Sequence, residues 1–290
     1  MMTFCAPLPE IIRNRRSCRT YENRSIAAET AARLRAFAAS LQHGPFHTFL
    51  RFELVAGDEK EARTLKGLGT YGFIKNPAGF LIGAVGPGEK NLEDFGFAME
   101  ALILYATSLG LGSCWLGGSF SKSRFAARVR ATAAEIVPAV AAVGYPAEET
   151  RLRALMRTQI KADARKPWEA LFFQGNLATP LAEEHAGAYA VPLHMLRLAP
   201  SASNKQPWRV MQQDACFHFY LQRSPGYQRN RSPLPSFIIA DLQRVDMGIA
   251  MCHFQLTAEE MGLKGEWSVA DPDIAKPSET VEYITSWAGK

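Results

Sequence analysis

The sequence predicts an α+β fold made of two related halves, and three observations lead to this prediction. Helical and strand-like patterns are mixed along all 290 residues. One long, apolar helical pattern occurs in each half of the chain. The segment from Asp94 to Trp115 is also repeated, with lower similarity, from Asp246 to Trp267. In both residue pairs, Asp94 with Asp246 and Trp115 with Trp267, the second residue lies 152 positions after the first. We therefore expect a duplicated unit whose copies pair about a pseudo-two-fold axis, as the subunits of a homodimer do.

The sequence pattern of the first half predicts four helices and four strands. Ala28, Ala31, Leu34 and Phe37 follow helical spacing, whereas residues 79–85 are nearly all apolar and predict a central, doubly covered strand. Gly110 should end the long apolar helix as a C-terminal glycine. The predicted helices are residues 10–16, 27–41, 94–109 and 124–134, and the predicted strands are residues 49–55, 79–85, 113–116 and 139–144.

The sequence pattern of the second half predicts a similar order of helices and strands, which begins after a charged, Pro-free connecting helix. Its segment 171–175 matches 20–23, and a long loop rich in Arg, Pro and Ser follows a strand. Both long apolar helices are too hydrophobic to face water, so we expect each to bury the other. The predicted elements are helices at 151–166, 186–198 and 241–261, a strand at 217–221 and the loop 222–236.

Composition excludes several classes of protein. A net charge of +5 and a pI near 9.0 suit anionic ligands, but basic and acidic residues alternate, so the stripe expected of a nucleic-acid-binding protein is missing. The five cysteines are scattered, which predicts reduced thiols in the cytoplasm. The N-terminus has no secretory pattern. The most apolar run, residues 97–118, contains Glu100 and is broken by Gly110 and Gly112, and therefore does not predict a membrane span.

Two potential motifs are rejected on their context. Residues 67–72 match Gly-x-Gly-x-x-Gly, but a charged helical stretch precedes them where a dinucleotide-binding fold requires a strand. The six histidines are dispersed, and His253 lies inside the second apolar helix. We expect His253 to be a hydrogen-bonded core residue, and we predict no metal site.

Three segments carry potential binding chemistry. Residues 15–19 place three arginines and a serine in one turn, which suits a phosphate group or a solvated basic turn. Residues 198–208 gather two serines, two amides and two prolines before a tryptophan, which suits a ligand-binding loop better than a simple helix stop. The glycine-rich residues 109–118 would permit close approach to a flat ligand, tight packing at the symmetry axis, or both.

Taken together, these strings resemble the FMN-dependent nitroreductase family. They are Arg15-Arg-Ser-Cys-Arg-Thr-Tyr21, Ala199-Pro-Ser-Ala-Ser-Asn-Lys-Gln-Pro-Trp208, the Asp-x-Gly-x-Ala helix with its glycine-rich end, and Gly144-Tyr-Pro-Ala-Glu148. The Pro-Ser loop lies about 180 residues after the arginine turn, whereas in usual members it follows soon in the same unit. The chain is similar to the putative TM nitroreductase branch, in which two nitroreductase-like halves are fused into a pseudo-dimer.

The resemblance implies that one composite FMN site survives and its symmetry mate is lost. The first half, residues 1–160, keeps the arginine turn, and the second half, residues 161–290, keeps the loop. The first half's counterpart of the loop, around residues 41–52, lacks the Ser and Asn residues, and Phe172-Phe-Gln-Gly175 stands where the second arginine turn would be. The implied cofactor-binding residues are Arg15, Arg16, Ser17, Arg19, Leu116, Gly117, Gly118, Arg165, Lys166, Pro200, Ser201, Ala202 and Asn204.

The same resemblance implies an activity. NADH or NADPH would reduce FMN, and a nitroaromatic, a quinone or a similar acceptor would then be reduced on the same face, with no obligatory protein acid or base. Residues 71–76 and 227–235 would border the acceptor. A flavin-binding protein without turnover and a flavin-dependent reductive dehalogenase are the alternatives. A fused pseudo-dimer already buries a dimer's interface, so we predict a monomer.

Overall fold

The computed structural model describes residues 4–56, 74–118, 120–148, 164–225 and 240–290, in which helices are combined with two β-sheets. A four-stranded sheet has the order β1-β2-β4-β3, and a five-stranded sheet has the order β5-β6-β7-β9-β8. The strands are β1 Leu50–Ala56, β2 Gly79–Val85, β3 Gly112–Leu116, β4 Val140–Gly144, β5 Phe172–Gln174, β6 Trp208–Gln213, β7 Cys216–Gln222, β8 Gly265–Ser268 and β9 Val281–Gly289.

Two long helices form the centre of the molecule, as the sequence predicts. Both are buried along most of their length, and they make the most extensive helix–helix contact among the described elements. The α-helices of the described residues are α1 Leu8–Asn14, α2 Ala28–Ser40, α3 Asn91–Ser108, α4 Lys122–Arg128, α5 Ala190–Arg197 and α6 Leu242–Glu260. Helices α3 and α6 are the central pair.

The two sheets correspond strand for strand. Strands β1, β2, β4 and β3 are antiparallel neighbours in the same order as β6, β7, β9 and β8. Strand β5 is an additional edge strand, parallel to β6. This arrangement is compatible with the duplicated unit that the sequence repeat suggests.

The ends of the central helices repeat in the same register. Gly110 and Gly262 have φ angles of 79° and 77°, a left-handed conformation that glycine adopts without steric cost. The next residue in each copy, Leu111 or Leu263, donates its N–H to a carbonyl five residues back. Each helix therefore ends in a glycine cap and leads directly into β3 or β8.

Several sequence-based boundaries were wrong. The helix predicted at 124–134 ends at Arg128, and Arg130 has a φ of 48°. The predicted helix 186–198 is a 3₁₀ segment, Glu183–Tyr189, broken at Gly187, followed by α5. Strands β6, β8 and β9 were not predicted, and segment 171–175 contains strand β5.

Some predictions lie outside the described residues. They are the glycine motif at 67–72, the first half of the acceptor segment 71–76, nearly all of the connecting helix 151–166, most of the loop 222–236 and the acceptor segment 227–235. Among the described helices, none combines the length and apolar character that a membrane crossing requires.

Candidate functional site

A cavity of about 640 Å³ opens between the two halves of the chain. Its wall combines an arginine-containing turn, the glycine-rich end of β3, a loop from the second half and one face of α6. The lining residues are Arg15, Arg16, Ser17, Arg19, Cys114, Trp115, Gly117, Gly118, Ala139, Arg165, Pro200, Ser201, Ala202, Ser203, Asn204, Leu242, Val245, Asp246 and Ile249.

The arginine turn is positioned by helix α1 and strand β3. The Arg15 N–H closes α1 by donating to the Ile11 carbonyl at 2.9 Å. The chain then runs parallel to β3, since Ser17 pairs with Ser113 and the Cys18 N–H donates to the Ser113 carbonyl at 2.7 Å. Arg15 is 8% exposed, so its guanidinium belongs to the cavity wall instead of the outer surface.

A loop from the second half covers the cavity in a conformation that costs free energy. Ser203, Asn204 and Gln206 have φ angles of 50°, 54° and 49°, a backbone conformation that residues other than glycine rarely adopt. Hydrogen bonds hold this loop: the Gln206 N–H donates to Ser201 Oγ at 2.9 Å, and Asn204 Nδ2 donates to the Ala164 carbonyl at 2.9 Å. Strain of this kind is typical of ligand-binding loops.

Helix α6 supplies an apolar wall with one carboxyl group. Leu242, Val245 and Ile249 line the cavity, and Asp246 lies between them, 3% exposed. Asp246 Oδ1 accepts the Ala202 N–H at 2.9 Å and so anchors the loop, whereas Oδ2 is buried without a hydrogen bond. Burial raises the pKa of Asp246 well above its usual value, with nearby Asp241 adding to the rise.

Asp94, which corresponds to Asp246 at the sequence offset of 152, has a different environment. Asp94 Oδ1 accepts the Phe46 N–H at 2.8 Å, and its Oδ2 accepts the Thr48 N–H at 2.9 Å. Gly44 lies directly against the Asp94 side chain. The loop of the first half is therefore closed onto its aspartate with both carboxylate oxygens satisfied.

The cavity is electropositive. Four arginines and one carboxyl group are its ionisable lining residues besides Cys114, whose pKa is raised by burial. Just outside the lining, burial and the charges of Arg209 and Lys205 lower the pKa of Lys166 to about 8. An anionic group entering the cavity would relieve this concentration of positive charge.

The structure brings most of the residues predicted from the sequence into this one cavity. The exceptions are Leu116, whose side chain is buried in a smaller cluster beyond β3, and Lys166, whose ammonium donates to the Gln206 carbonyl at 3.2 Å. Sequence reasoning missed Ala139 and the α6 wall, and within the two segments that it proposed it did not single out Cys114, Trp115 or Ser203. Asp246 belongs to the internal repeat, where it matches Asp94, and this match was the one signal in the sequence that could have identified it.

The fold and the cavity define the class of protein: an α+β nitroreductase fold. A solved structure of a putative nitroreductase from Thermotoga maritima matches 99% of this chain and 96% of its own, with a TM-score of 0.60 and 19% identity. A structure described as an oxidoreductase containing FMN matches 60% of this chain and 94% of its own, with a TM-score of 0.50 and 18% identity.

The family model described as "Putative TM nitroreductase" matches residues 8–258. The chain therefore belongs to that family, as the sequence motifs indicated. No curated protein matches the chain.

Proposed function

We propose that this protein is an FMN-dependent oxidoreductase that uses NADH or NADPH to reduce a nitroaromatic, a quinone or a similar small acceptor. Family membership supports the oxidoreductase class, and one related structure is described as containing FMN. The observation that carries the proposal is the composite cavity, which combines three arginines from residues 1–160 with the Pro-Ser loop and the apolar face of α6 from residues 161–290.

The residues present fit FMN. Arg15, Arg16 and Ser17 would bind its phosphate and polar tail, because guanidinium groups form paired, charge-assisted hydrogen bonds with phosphate oxygens. Arg19 would lie near the pyrimidine edge, where a cation stabilises negative charge on a reduced ring. The apolar wall of α6 would exclude water from the ring. When bound, FMN would supply the hydride chemistry by accepting a hydride from the nicotinamide and passing it on.

The remaining residues would position the ring. Pro200, Ser201, Ala202 and Asn204 would cover it from the second half. Gly117, whose Cα lies against the Leu242 side chain, keeps β3 close to α6. Backbone N–H groups of residues 116–118 would approach the reactive edge, and Arg165 would assist at the phosphate.

The proposal includes the organisation of the chain. Residues 1–160 and 161–290 would be two nitroreductase-like halves, intertwined about a pseudo-two-fold axis. Each half would contribute one side of the surviving site. Since this pairing already buries the central helices, the protein would act as a monomer in the cytoplasm.

A sequence of optical measurements tests the proposal. The purified protein should bind FMN and show flavin absorbance, and NADH or NADPH should bleach that absorbance in the absence of oxygen. Added quinone or nitroaromatic should restore it. Protein that takes up no FMN would refute the proposal. Bound FMN that neither nucleotide can bleach would instead identify a flavin-binding protein without turnover.

A further inference from the structure

A buried carboxylate lies directly behind the cavity, and neither the motifs nor the proposed function assigns it a role. Glu100, in the middle of α3, is fully buried. Its Oε2 accepts the Trp115 indole N–H at 2.7 Å, and its Oε1 lies 3.0 Å from His253 Nε2 and 3.7 Å from Arg15 Nε. Trp115 and Arg15 both line the cavity, so Glu100 contacts two parts of its wall at once.

The hydrogen-bond geometry determines where the protons are. His253 Nδ1 lies 2.9 Å from the Met195 carbonyl, which can only accept, so this nitrogen carries a proton. The other ring nitrogen faces Glu100, so a second proton must lie between them. Glu100 also accepts the Trp115 N–H and lies near the Arg15 guanidinium, two contacts that suit a carboxylate. With the shared proton on the ring, the arrangement is a buried imidazolium–carboxylate pair.

The pair occurs only once in the two copies of the repeat. With the offset of 152, Glu100 corresponds to Cys252, and His253 corresponds to Ala101. Both counterparts are uncharged and buried. The charged pair therefore exists on the side where the cavity survives and has no symmetry-related copy.

The tryptophan at the corresponding position of the second copy shows that an indole N–H can be bound by an uncharged side chain. Trp267 repeats Trp115, and its indole N–H donates to Gln255 Oε1 at 2.7 Å, the same distance as the bond from Trp115 to Glu100. A neutral amide thus suffices to anchor the indole. The negative charge of Glu100, which is costly to bury, calls for a different explanation.

Arg15 supplies that explanation. Its Nε is close enough to Glu100 for electrostatic orientation, yet at 3.7 Å it forms no hydrogen bond, and the structure gives this buried atom no other partner. Because His253 balances the charge of Glu100, the positive charge of Arg15 is not offset by an unpaired carboxylate beside it. If His253 were neutral, the carboxylate would neutralise the guanidinium instead.

We propose that Glu100 and His253 are positioning residues that hold Arg15 in the cavity wall with its charge available to an anionic group of FMN. This inference rests on the proposed function, and two experiments separate its failure from that of the function. The first needs no cofactor, and the second compares affinities among variants.

The first experiment is nitrogen NMR of the full-length apo protein with ¹⁵N-labelled histidine, in which His253→Gln identifies the resonances. We expect both His253 ring nitrogens to be protonated at neutral pH, and we expect Glu100→Gln to leave one of them unprotonated. An unprotonated nitrogen in the wild-type ring, or an unchanged ring in Glu100→Gln, would overturn the inference whether or not the protein binds FMN.

The second experiment measures the Kd of FMN by quenching of flavin fluorescence. His253→Gln leaves the Glu100 charge unbalanced and should weaken binding on the order of tenfold. The double variant Glu100→Gln/His253→Gln restores the local charge and should return to within about threefold of wild type. A double variant as weak as the single one would show a merely structural role. His218→Gln, at a buried histidine bonded to Ser286, is the control and should not change the Kd.

Wild-type protein that binds no FMN would refute the proposed function, and the NMR result would still decide the protonation of the pair. Thermal unfolding of each variant checks that the fold is intact. Normal FMN affinity in His253→Gln, with the fold intact, would overturn the inference and leave the proposed function standing.

Discussion

Gly96 of α3 lies directly against the backbone carbonyl of Val245 in α6, and the contact is reciprocated. Gly248 of α6 lies against the carbonyl of Glu93 in α3. With the offset of 152, Gly96 corresponds to Gly248 and Glu93 to Val245, so the two contacts are images of each other. An interface across a two-fold axis has this form, because residue i contacts j and j contacts i.

These glycines should therefore be essential to the packing of the central helices. A Cβ at either position would collide with the facing carbonyl, which belongs to a rigid helix and cannot move aside. We expect Gly96→Ala and Gly248→Ala each to lower the free energy of unfolding by about 1–3 kcal/mol or more, measured by denaturant unfolding. Gly86→Ala, where the nearest atom is 3.7 Å from the added carbon, should change it by less than about 0.5 kcal/mol. Equal effects at all three positions would contradict this account.

The two symmetry-related aspartates should respond differently to conversion to asparagine. Asp94→Asn places an amide NH₂ against one of two backbone N–H donors and should cost about 1–3 kcal/mol of stability. Asp246→Asn keeps an acceptor for the single Ala202 N–H and should be tolerated. Chemical denaturation of both variants tests this, and a larger loss for Asp246→Asn than for Asp94→Asn would show that the described hydrogen bonds are not decisive.

The pH dependence of stability should also change in Asp246→Asn. Burial raises the folded-state pKa of Asp246. Below the unfolded-state pKa of about 4 the carboxyl group is protonated in both states, and folding carries no cost of burying its charge. This advantage for the folded state is lost as the pH rises toward the folded-state pKa. The stability of the variant relative to wild type should therefore increase from pH 4 upward. Unfolding curves between pH 4 and 8 measure this, and a difference that does not vary with pH would contradict the assignment.

The arginine turn should determine cofactor retention. Arg15→Ala and Ser17→Ala each remove a group from the cavity wall and should weaken FMN binding at least about tenfold if these groups contact the phosphate. Arg13→Ala, at an exposed arginine of α1 outside the cavity, is the matched control. The flavin content after gel filtration provides the measurement. Undiminished content in the double variant Arg15→Ala/Ser17→Ala would place the phosphate elsewhere.

The chain should sediment as a monomer. Helices α3 and α6 bury each other within one chain, and in the proposed pseudo-dimer this contact takes the place of a homodimer interface. We expect sedimentation equilibrium to give a mass near 32.0 kDa across the micromolar range. A concentration-independent mass of twice that value would refute the prediction.

Sequence patterns predicted the central helices well but missed strands β6, β8 and β9 of the second sheet. Helices α3 and α6 have apolar residues over many turns and are followed by the cap glycines Gly110 and Gly262, so both their type and their C-terminal ends are evident. Strand β9 has no regular alternation, because its pairing with β7 shifts register at Phe219/Tyr220 and several consecutive residues are buried. Strand β8 has only four residues, too few for a pattern.

The candidate site was predictable only where its chemistry was concentrated in sequence. The arginine turn and the Pro-Ser loop stand out because polar residues accumulate within a few positions. In the sequence, Leu242, Val245 and Ile249 look like ordinary core residues of a helix. The local sequence pattern is the same for an apolar residue that faces a cavity and for one that faces another helix. The pairing of Glu100 with His253 joins residues 153 apart and requires the packing of α3 on α6.

The wall of the cavity extends from Arg15, near the beginning of the chain, to Ile249 in α6, a helix that ends at Glu260. Synthesis must therefore reach α6 before any ligand can meet a finished pocket. If the cavity holds FMN as proposed, the cofactor would be loaded after that point, and a chain that stops before α6 would lack one wall of the site.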